Sequence, residues 1–117
     1  MVILLRAPTS RGQVGPQEIP PTESFIDRVP VPVSVKWLIH IIDDTSNSLY
    51  SCMVMSHGKV GSSLAPHSKY ASLRNVAESF VPPTIDTRIQ DGFLELVITN
   101  NNEDHPITCS ASRTCVV

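Results

Sequence analysis

The dipeptide Asp91-Gly92 limits how this chain can fold more than any other feature, because it separates two runs of alternating apolar and polar residues. Both central positions of a type I′ turn need a positive φ, and Asp-Gly is a preferred pair there. Pairing Gln90 with Phe93 places Arg88 opposite Glu95 on one face. The same register fills the other face with three pairs: Ile89 with Leu94, Thr87 with Leu96, and Ile85 with Ile98. A shift of the pairing register by one residue would turn those apolar side chains to solvent, so the sequence predicts a hairpin with this register.

An earlier hairpin is predicted around the polar cluster 43–48, whose sequence is DDTSNS. Residues 35–42 and 49–55 alternate with the period of a strand on either side of it. If Ile42 faces Leu49, six apolar residues share one face. The three pairs are Ile41 with Tyr50, Ile39 with Cys52, and Trp37 with Val54.

Between the two hairpins, apolar residues recur at helical spacing. They are Tyr70, Leu73, Val76, Ala77 and Phe80. Ser68 is a suitable N-cap, and Pro82-Pro83 would end the helix. The spacing predicts a helix of about twelve residues, which is too short to be stable alone and must pack on the sheet.

Further strands are predicted at Ile107–Cys109, after the polar turn 100–105, and at Arg113–Val117. The predicted fold class is therefore α+β. It is a small antiparallel sheet, made of two hairpins plus one or two further strands, with one short helix packed on it.

The N-terminal region is rich in proline, with six of the ten prolines in the first 32 residues. Proline removes a backbone donor, so residues 7–32 are not expected to form a helix or a central strand. The predicted division is a proline-rich extended arm at 1–32 and a single β-rich domain at 33–117. The arm is either a flexible tail or a docking element, in which case the apolar residues Val2, Ile3 and Leu4 are the assembly candidates.

Composition excludes several classes of protein. A net charge of −2 and a modest 17% of charged residues do not fit a protein that coats nucleic acid. The apolar run 1–5 is shorter than the core of a signal peptide or a membrane span. Three cysteines are an odd number, which does not indicate a disulfide framework. We therefore expect an intracellular protein.

His105, Cys109 and Cys115 are the candidate ligands for a metal ion, but neither C-x2-C nor H-x3-H spacing occurs. Cys52 falls on the predicted core face, where a thiol behaves as a small hydrophobe. A Cys109–Cys115 disulfide is an alternative in an oxidising compartment. We predict no metal and no cofactor. Because hydrolase, P-loop and dinucleotide motifs are absent, neither catalysis nor a small-molecule substrate is indicated.

Charge is unevenly distributed along the chain. Residues 45–77 contain no Asp or Glu, but they include Lys59, Lys69 and Arg74 as well as two histidines. This pattern is typical either of an ordinary solvated loop or of a surface that binds phosphates, acidic lipid headgroups or acidic protein turns. We take these three cations as the candidate binding residues.

The segment Gly92–Thr99, GFLELVIT, resembles a strand in the matrix proteins of rhabdoviruses, where a G-x-[IL]-E-L run follows a proline-containing stretch. The resemblance covers about eight residues and implies a self-associating assembly protein that contacts membrane and nucleocapsid. The helix expected early in that fold has no counterpart here, because residues 43–48 predict a turn.

Together these features favour a non-enzymatic protein-binding or self-assembly module that uses the N-terminal arm and the sheet edges. The expected partner is a second copy of the chain or another protein. One alternative is a small structural, matrix-like protein that binds acidic membrane or nucleic acid through its basic face. A further alternative is a zinc- or thiol-based site near the C-terminus.

Overall fold

The structure is a computed structural model that describes residues 2–5 and 11–116. These residues form nine β-strands and no helix. The strands are β1 (Val2–Leu5), β2 (Arg11–Ile19), β3 (Ser24–Pro30), β4 (Val33–Asp43), β5 (Ser48–Gly58), β6 (His67–Asn75), β7 (Thr84–Gln90), β8 (Phe93–Thr99) and β9 (Ile107–Val116). The order β1-β3-β8-β7 makes a four-stranded sheet, and β2-β9-β4-β5-β6 makes a five-stranded sheet.

The core lies between the inner faces of the two sheets. Because successive side chains of a strand point to opposite faces, β4 buries every second residue along its length. Trp37, Ile39 and Ile41 from the five-stranded sheet belong to the same buried cluster as Leu94 and Leu96 from the four-stranded sheet. The chain is thus an all-β sandwich, and the predicted α+β class is wrong.

Both predicted hairpins are confirmed, with the predicted registers. Every pair proposed for β7 and β8 and for β4 and β5 occurs in the structure. Asp91 and Gly92 have φ values of 55° and 80°, as a type I′ turn requires. Arg88 Nε donates a 2.6 Å hydrogen bond to Glu95 Oε1. Arg28 of β3 contacts the same carboxylate from the other side, with Nε 2.7 Å from Oε2.

The predicted helix does not form, because its residues pair with β5 as strand β6. The register shifts between Ser51 and Met53, so Ala71 and Ser72 form a bulge in which Ala71 has a φ of 52°. An extra residue in a bulge puts two side chains three positions apart on the same face. The three-residue spacing of Tyr70 and Leu73 therefore imitated helical periodicity.

The residues after β6 form a loop rather than the second half of the helix. The backbone N–H of Phe80 donates to the carbonyl of Ala77 at 3.0 Å, and the Phe80 ring lies 6.3 Å from the Tyr50 ring. The backbone N–H of Ala77 donates to Ser48 Oγ at 2.9 Å. Phe80 is thus buried against the sheet, as expected, but from a loop.

The proline-rich region supplies strands to both sheets. Pro16 lies at a register shift in β2, which is an edge strand, where a missing N–H is tolerated. Strand β3 lies between β1 and β8, and it contains no proline before its last residue. The expectation that no part of 7–32 forms a central strand is therefore wrong for β3. Met1 and residues 6–10 of the predicted arm lie outside the described residues.

A single strand, β9, replaces the two short C-terminal strands that the sequence predicted, and Val117 lies outside the described residues. β9 lies between β2 and β4, and it brings Arg113 into the core. Arg113 Nη1 donates to both carboxylate oxygens of Asp27, at 2.6 and 2.7 Å. Trp37 Nε1 donates to the same carboxylate at 2.9 Å, so this buried charge pair joins the two sheets.

In the part of the chain that the structure describes, we find no helix long and apolar enough to cross a membrane.

Candidate interaction surface on the five-stranded sheet

The outer face of the five-stranded sheet carries most of the exposed large hydrophobic side chains that the structure describes. Among the described residues, nine large hydrophobic side chains are exposed, and six of them lie on this face. Those six are Leu38, Leu49, Met55, Tyr70, Leu73 and Val116. The remaining three, Val60, Leu64 and Val81, lie in loops. Contiguous exposed apolar surface marks interaction sites in proteins.

Cross-strand pairing makes these side chains contiguous. Leu38 of β4 pairs with Met53 of β5, which pairs with Tyr70 of β6. The adjacent row of the sheet joins Ser51 to Leu73, and the next joins Ile42 to Leu49. We call the resulting surface the outer patch, which comprises Leu38, Ile42, Leu49, Met53, Met55, Tyr70 and Leu73. Three strands about 4.8 Å apart and rows about 7 Å apart give it an extent of about 300 Å².

Charge on this face is sparse. In the described residues of β4, β5 and β6, no carboxylate points to the outer side. The ionisable groups there are Lys36, beside Met55, together with His40 and His57. On β9 the outer side is lined instead by hydroxyl groups, among them Ser110 and Ser112. The apolar character thus belongs to the β4–β6 half of the sheet.

Strand β6 forms the edge next to the outer patch, and all nine of its residues are exposed. Its inner side carries two of the three predicted binding cations. Lys69 Nζ lies 5.9 Å and Arg74 Cζ lies 5.8 Å from the centre of the Tyr50 ring. The structure therefore brings Lys69 and Arg74 to one aromatic ring.

Lys59, the third predicted cation, lies elsewhere. It follows Gly58 at the end of β5 and lines a pocket with His57. Tyr50 and Gly58 are eight residues apart on β5, or about 27 Å along the strand. Lys59 and the Lys69–Arg74 pair therefore lie near different ends of the strand and do not form one compact basic site.

The assembly candidates Val2, Ile3 and Leu4 lie in β1, which pairs in parallel with β3. Val2 pairs with Phe25, and Leu4 pairs with Asp27. β1 is an edge of the four-stranded sheet. One side of β1 pairs with β3, and another strand could pair with its other side.

The structure does not bring the predicted metal ligands together. Cys109 and Cys115 are buried on the inner side of β9, six residues or about 20 Å apart, which is too far for a disulfide. Burial raises the pKa of the Cys109 thiol to about 12 and also raises that of Cys115. Residues 2–5 and 11–116 contain no group of three His, Cys, Asp or Glu side chains that could hold a metal ion.

His105 instead links the loop between β8 and β9 to the end of β4. Its Nε2 lies 3.0 Å from Asp43 Oδ2, and its Nδ1 lies 2.7 Å from Asp104 Oδ1. The pKa of His105 is raised, chiefly by the hydrogen bond to Asp43 and secondly by the hydrogen bond to Asp104. Burial by itself raises the pKa of Asp43, but hydrogen bonds from His105 and Ser46 outweigh it and the pKa is lowered. Both ring nitrogens donate only in the protonated imidazole.

Sequence reasoning missed the outer patch, although part of its signal was present. Leu38 and Ile42 alternate with the core residues of β4, so the outer side of that strand also carries large apolar side chains, next to Lys36 and His40. The contribution of Tyr70 and Leu73 was hidden by the bulge in β6.

No known family model matches the chain, and a search of curated proteins finds no significantly similar sequence.

Proposed function

We propose that the chain is a non-enzymatic self-assembly module, in which the outer patch packs against the outer patch of a second copy. The observation that carries the proposal is the clustering of exposed large hydrophobic side chains on this one face. Packing two such faces about 10 Å apart would bury apolar area without any change in fold.

A second copy suits this surface because a two-fold interface must be complementary to itself. The central row of Leu38, Met53 and Tyr70 carries no formal charge, so two copies can face each other without burying like charges. The nearest cation, Lys36, pairs with Met55 in the next row and lies toward the rim. An acidic or basic partner would leave this centre without a complementary charge.

A matched pair of variants tests the proposal. Leu73 in the outer patch and Val60 in a loop are both 71% exposed, so Leu73→Glu and Val60→Glu add the same charge at equal exposure. We expect light scattering to show a concentration-dependent dimer for the unsubstituted chain and for Val60→Glu. Leu73→Glu should raise the dimer dissociation constant at least about tenfold, because its carboxylate would be buried at the interface.

A strictly monomeric unsubstituted chain at about 1 mM would refute self-assembly through this face. Equal dissociation constants for the two variants would also refute it, because the contact would then lie elsewhere. Circular dichroism of both variants confirms that the strands remain folded.

The edge strand β1 gives a second route to assembly, through strand addition at Val2, Ile3 and Leu4. Deleting residues 1–32 would remove β2 and β3 as well, so deletion of residues 1–10 is the cleaner test. If assembly depends on β1, this deletion abolishes the dimer and Leu73→Glu leaves it intact.

Binding to acidic membrane or nucleic acid is the other candidate function, and the shared position of Lys69 and Arg74 beside Tyr50 favours it. A matrix-like role would combine this binding with assembly. Vesicles rich in phosphatidylserine and a nucleic-acid duplex, each over a salt series, test the two ligands separately. Binding must weaken in the Lys69→Ala, Arg74→Ala double variant if this function is correct. The Lys59→Ala variant tests the third cation alone.

An intracellular location is part of the proposal, and the three free cysteines support it, since unpaired thiols are usual in reducing compartments.

A further inference from the structure

A pocket of about 520 Å³ opens at one end of the five-stranded sheet, where β4 begins and β5 and β9 end. Its walls are mainly aliphatic side chains and proline rings: Pro32, Val33, Leu64, Pro66 and Val116. The volume lies within the range of about 300–1,000 Å³ that is usual for small-molecule sites. Leu64 and Val116 are among the most exposed hydrophobic residues described, so the apolar wall is accessible from solvent.

The loop that forms one wall is held in place by hydrogen bonds at its end. Ser56 Oγ donates to the carbonyl of Pro66 at 2.7 Å, and Thr87 Oγ1 donates to the carbonyl of Ala65 at 2.8 Å. Within the loop, the backbone N–H of Leu64 donates to Ser62 Oγ at 3.1 Å. A wall that is already fixed loses little conformational entropy when a ligand enters.

Below the pocket, Gly58 allows the end of β5 to approach Val31 and Ile89 closely. A Cβ at this position would lie 2.8 Å from Val31 Cγ1 and 3.1 Å from Ile89 Cδ1. Only glycine therefore lets this end of β5 pack against both side chains at their present positions.

The polar part of the lining has one sign of charge. It includes His57 and Lys59, which adjoin Gly58 on either side, and it contains no Asp or Glu among the described lining residues. The chain carries no acidic residue anywhere between 45 and 77. Lys59, the cationic group of this lining, thus lies beside an aliphatic wall with no carboxylate among the described lining residues to neutralise it.

We infer that this pocket binds a small amphipathic carboxylate, with its aliphatic part against Leu64 and Val116 and its carboxylate at Lys59 and His57. The aliphatic wall supplies the affinity for the hydrocarbon, and the charged hydrogen bond from lysine selects the anion. The inference goes beyond the proposed self-assembly and does not depend on it, because it uses none of the outer-patch side chains.

Three probes with the same eight-carbon chain test it on the full chain: octanoate, octanol and octylammonium. Backbone amide chemical shifts in NMR spectra report both the affinity and the place of binding. We expect octanoate to shift the amides of Lys59, Ser62 and Val116 in a saturable manner. Its dissociation constant should be at least about fivefold lower than that of octanol, with octylammonium weakest.

Two substitutions separate the roles of the charge and the apolar wall. Lys59→Met should weaken octanoate about fivefold or more and leave octanol unchanged. Leu64→Ser should weaken octanoate and octanol by the same factor. Lys36→Met is the matched control, because Lys36 lies on the same sheet face but outside the pocket lining, and it should have no effect.

Equal affinities for octanoate and octanol, or an unchanged octanoate affinity in Lys59→Met, would overturn the assignment of a carboxylate. Shifts confined to the outer patch, or no saturable binding up to about 10 mM octanoate, would overturn the site itself. The Leu73→Glu variant tests the pocket separately from self-assembly. Its dimer should be weakened, whereas its affinity for octanoate should be unchanged.

Discussion

Both faces of the five-stranded sheet carry large hydrophobic side chains on β4 and β5, yet they differ in what covers them. The inner face packs against the four-stranded sheet and buries Ile39 completely, whereas Leu38, its neighbour on the outer face, is 49% exposed. The inner face also holds the buried pair Asp27–Arg113. Charge is thus found inside and apolar surface outside. Polarity alone therefore does not separate core from surface here, and the outer patch is left for another function.

The largest effect should come from breaking the ion pair between the two sheets. Arg113→Met leaves the buried Asp27 carboxylate without its guanidinium partner while the Trp37 hydrogen bond remains, so we expect the free energy of unfolding to fall by about 3–5 kcal/mol. Urea denaturation followed by Trp37 fluorescence measures the loss. Lys36→Met on the outer face is the control and should change stability by less than about 0.5 kcal/mol. A loss below about 1 kcal/mol in Arg113→Met would show that the pair does not hold the sheets together.

A cavity on the inner face should have the next largest effect. Ile39 is fully buried between Cys52 and Ala111 on the adjacent strands, so Ile39→Ala removes contacts that the rigid sheets cannot replace. We expect a loss of about 2–5 kcal/mol, measured by the same urea titration with an unchanged m value. A loss comparable to that of a surface substitution would mean that the two sheets are not packed as described.

The contact of His105 with Asp43 should give a smaller, pH-dependent effect at the end of the inner face. Because the pKa of His105 is raised in the folded chain, its contribution is full below about 6.5 and is lost as pH rises through the raised pKa. Because the pKa of Asp43 is lowered, its contribution is full above about 4 and is lost as pH falls through the lowered pKa. The contact therefore stabilises the chain most between these limits.

Unfolding midpoints measured from pH 3 to 9 for the unsubstituted chain and for His105→Gln test this pH window. The difference between the two should be largest near pH 5–6 and should shrink toward pH 9. His57→Gln, at an exposed position on the outer face, is the matched control. A difference that is constant over the whole range would contradict a role for the charge on His105.

The smallest effect on folding should come from the outer patch itself. Leu38→Ser replaces a half-exposed side chain, so we expect the stability of the monomer to change by less than about 0.5 kcal/mol. Association, measured by light scattering, should nevertheless weaken several-fold because apolar area is lost from the centre of the patch. A large loss of stability in dilute solution would show that Leu38 is part of the core after all.

The two hairpins and their registers could be predicted from the amino-acid sequence, since the information that specifies them is local. Asp91-Gly92 fixes one turn, and alternation on both sides leaves one register that keeps the apolar set together. For β4 and β5, the same alternation predicted every pair from Trp37–Val54 to Ile42–Leu49. The same alternation also identified the buried face of β4, which carries Trp37, Ile39 and Ile41.

Pairing between distant parts of the chain determined how the remaining segments fold. The residues from Ser68 to Phe80 had the spacing of a marginal helix, but the edge of β5 offered hydrogen bonds that made His67–Asn75 a bulged strand instead. β3 pairs with β8, which lies 63–75 residues later in the chain, and β9 pairs with β2, which lies 88–103 residues earlier. Such distant pairing sets where Arg113 is buried and which hydrophobic side chains stay exposed. Local patterns do not contain this information, because the residues of a strand do not specify which distant segment will pair with it or cover it.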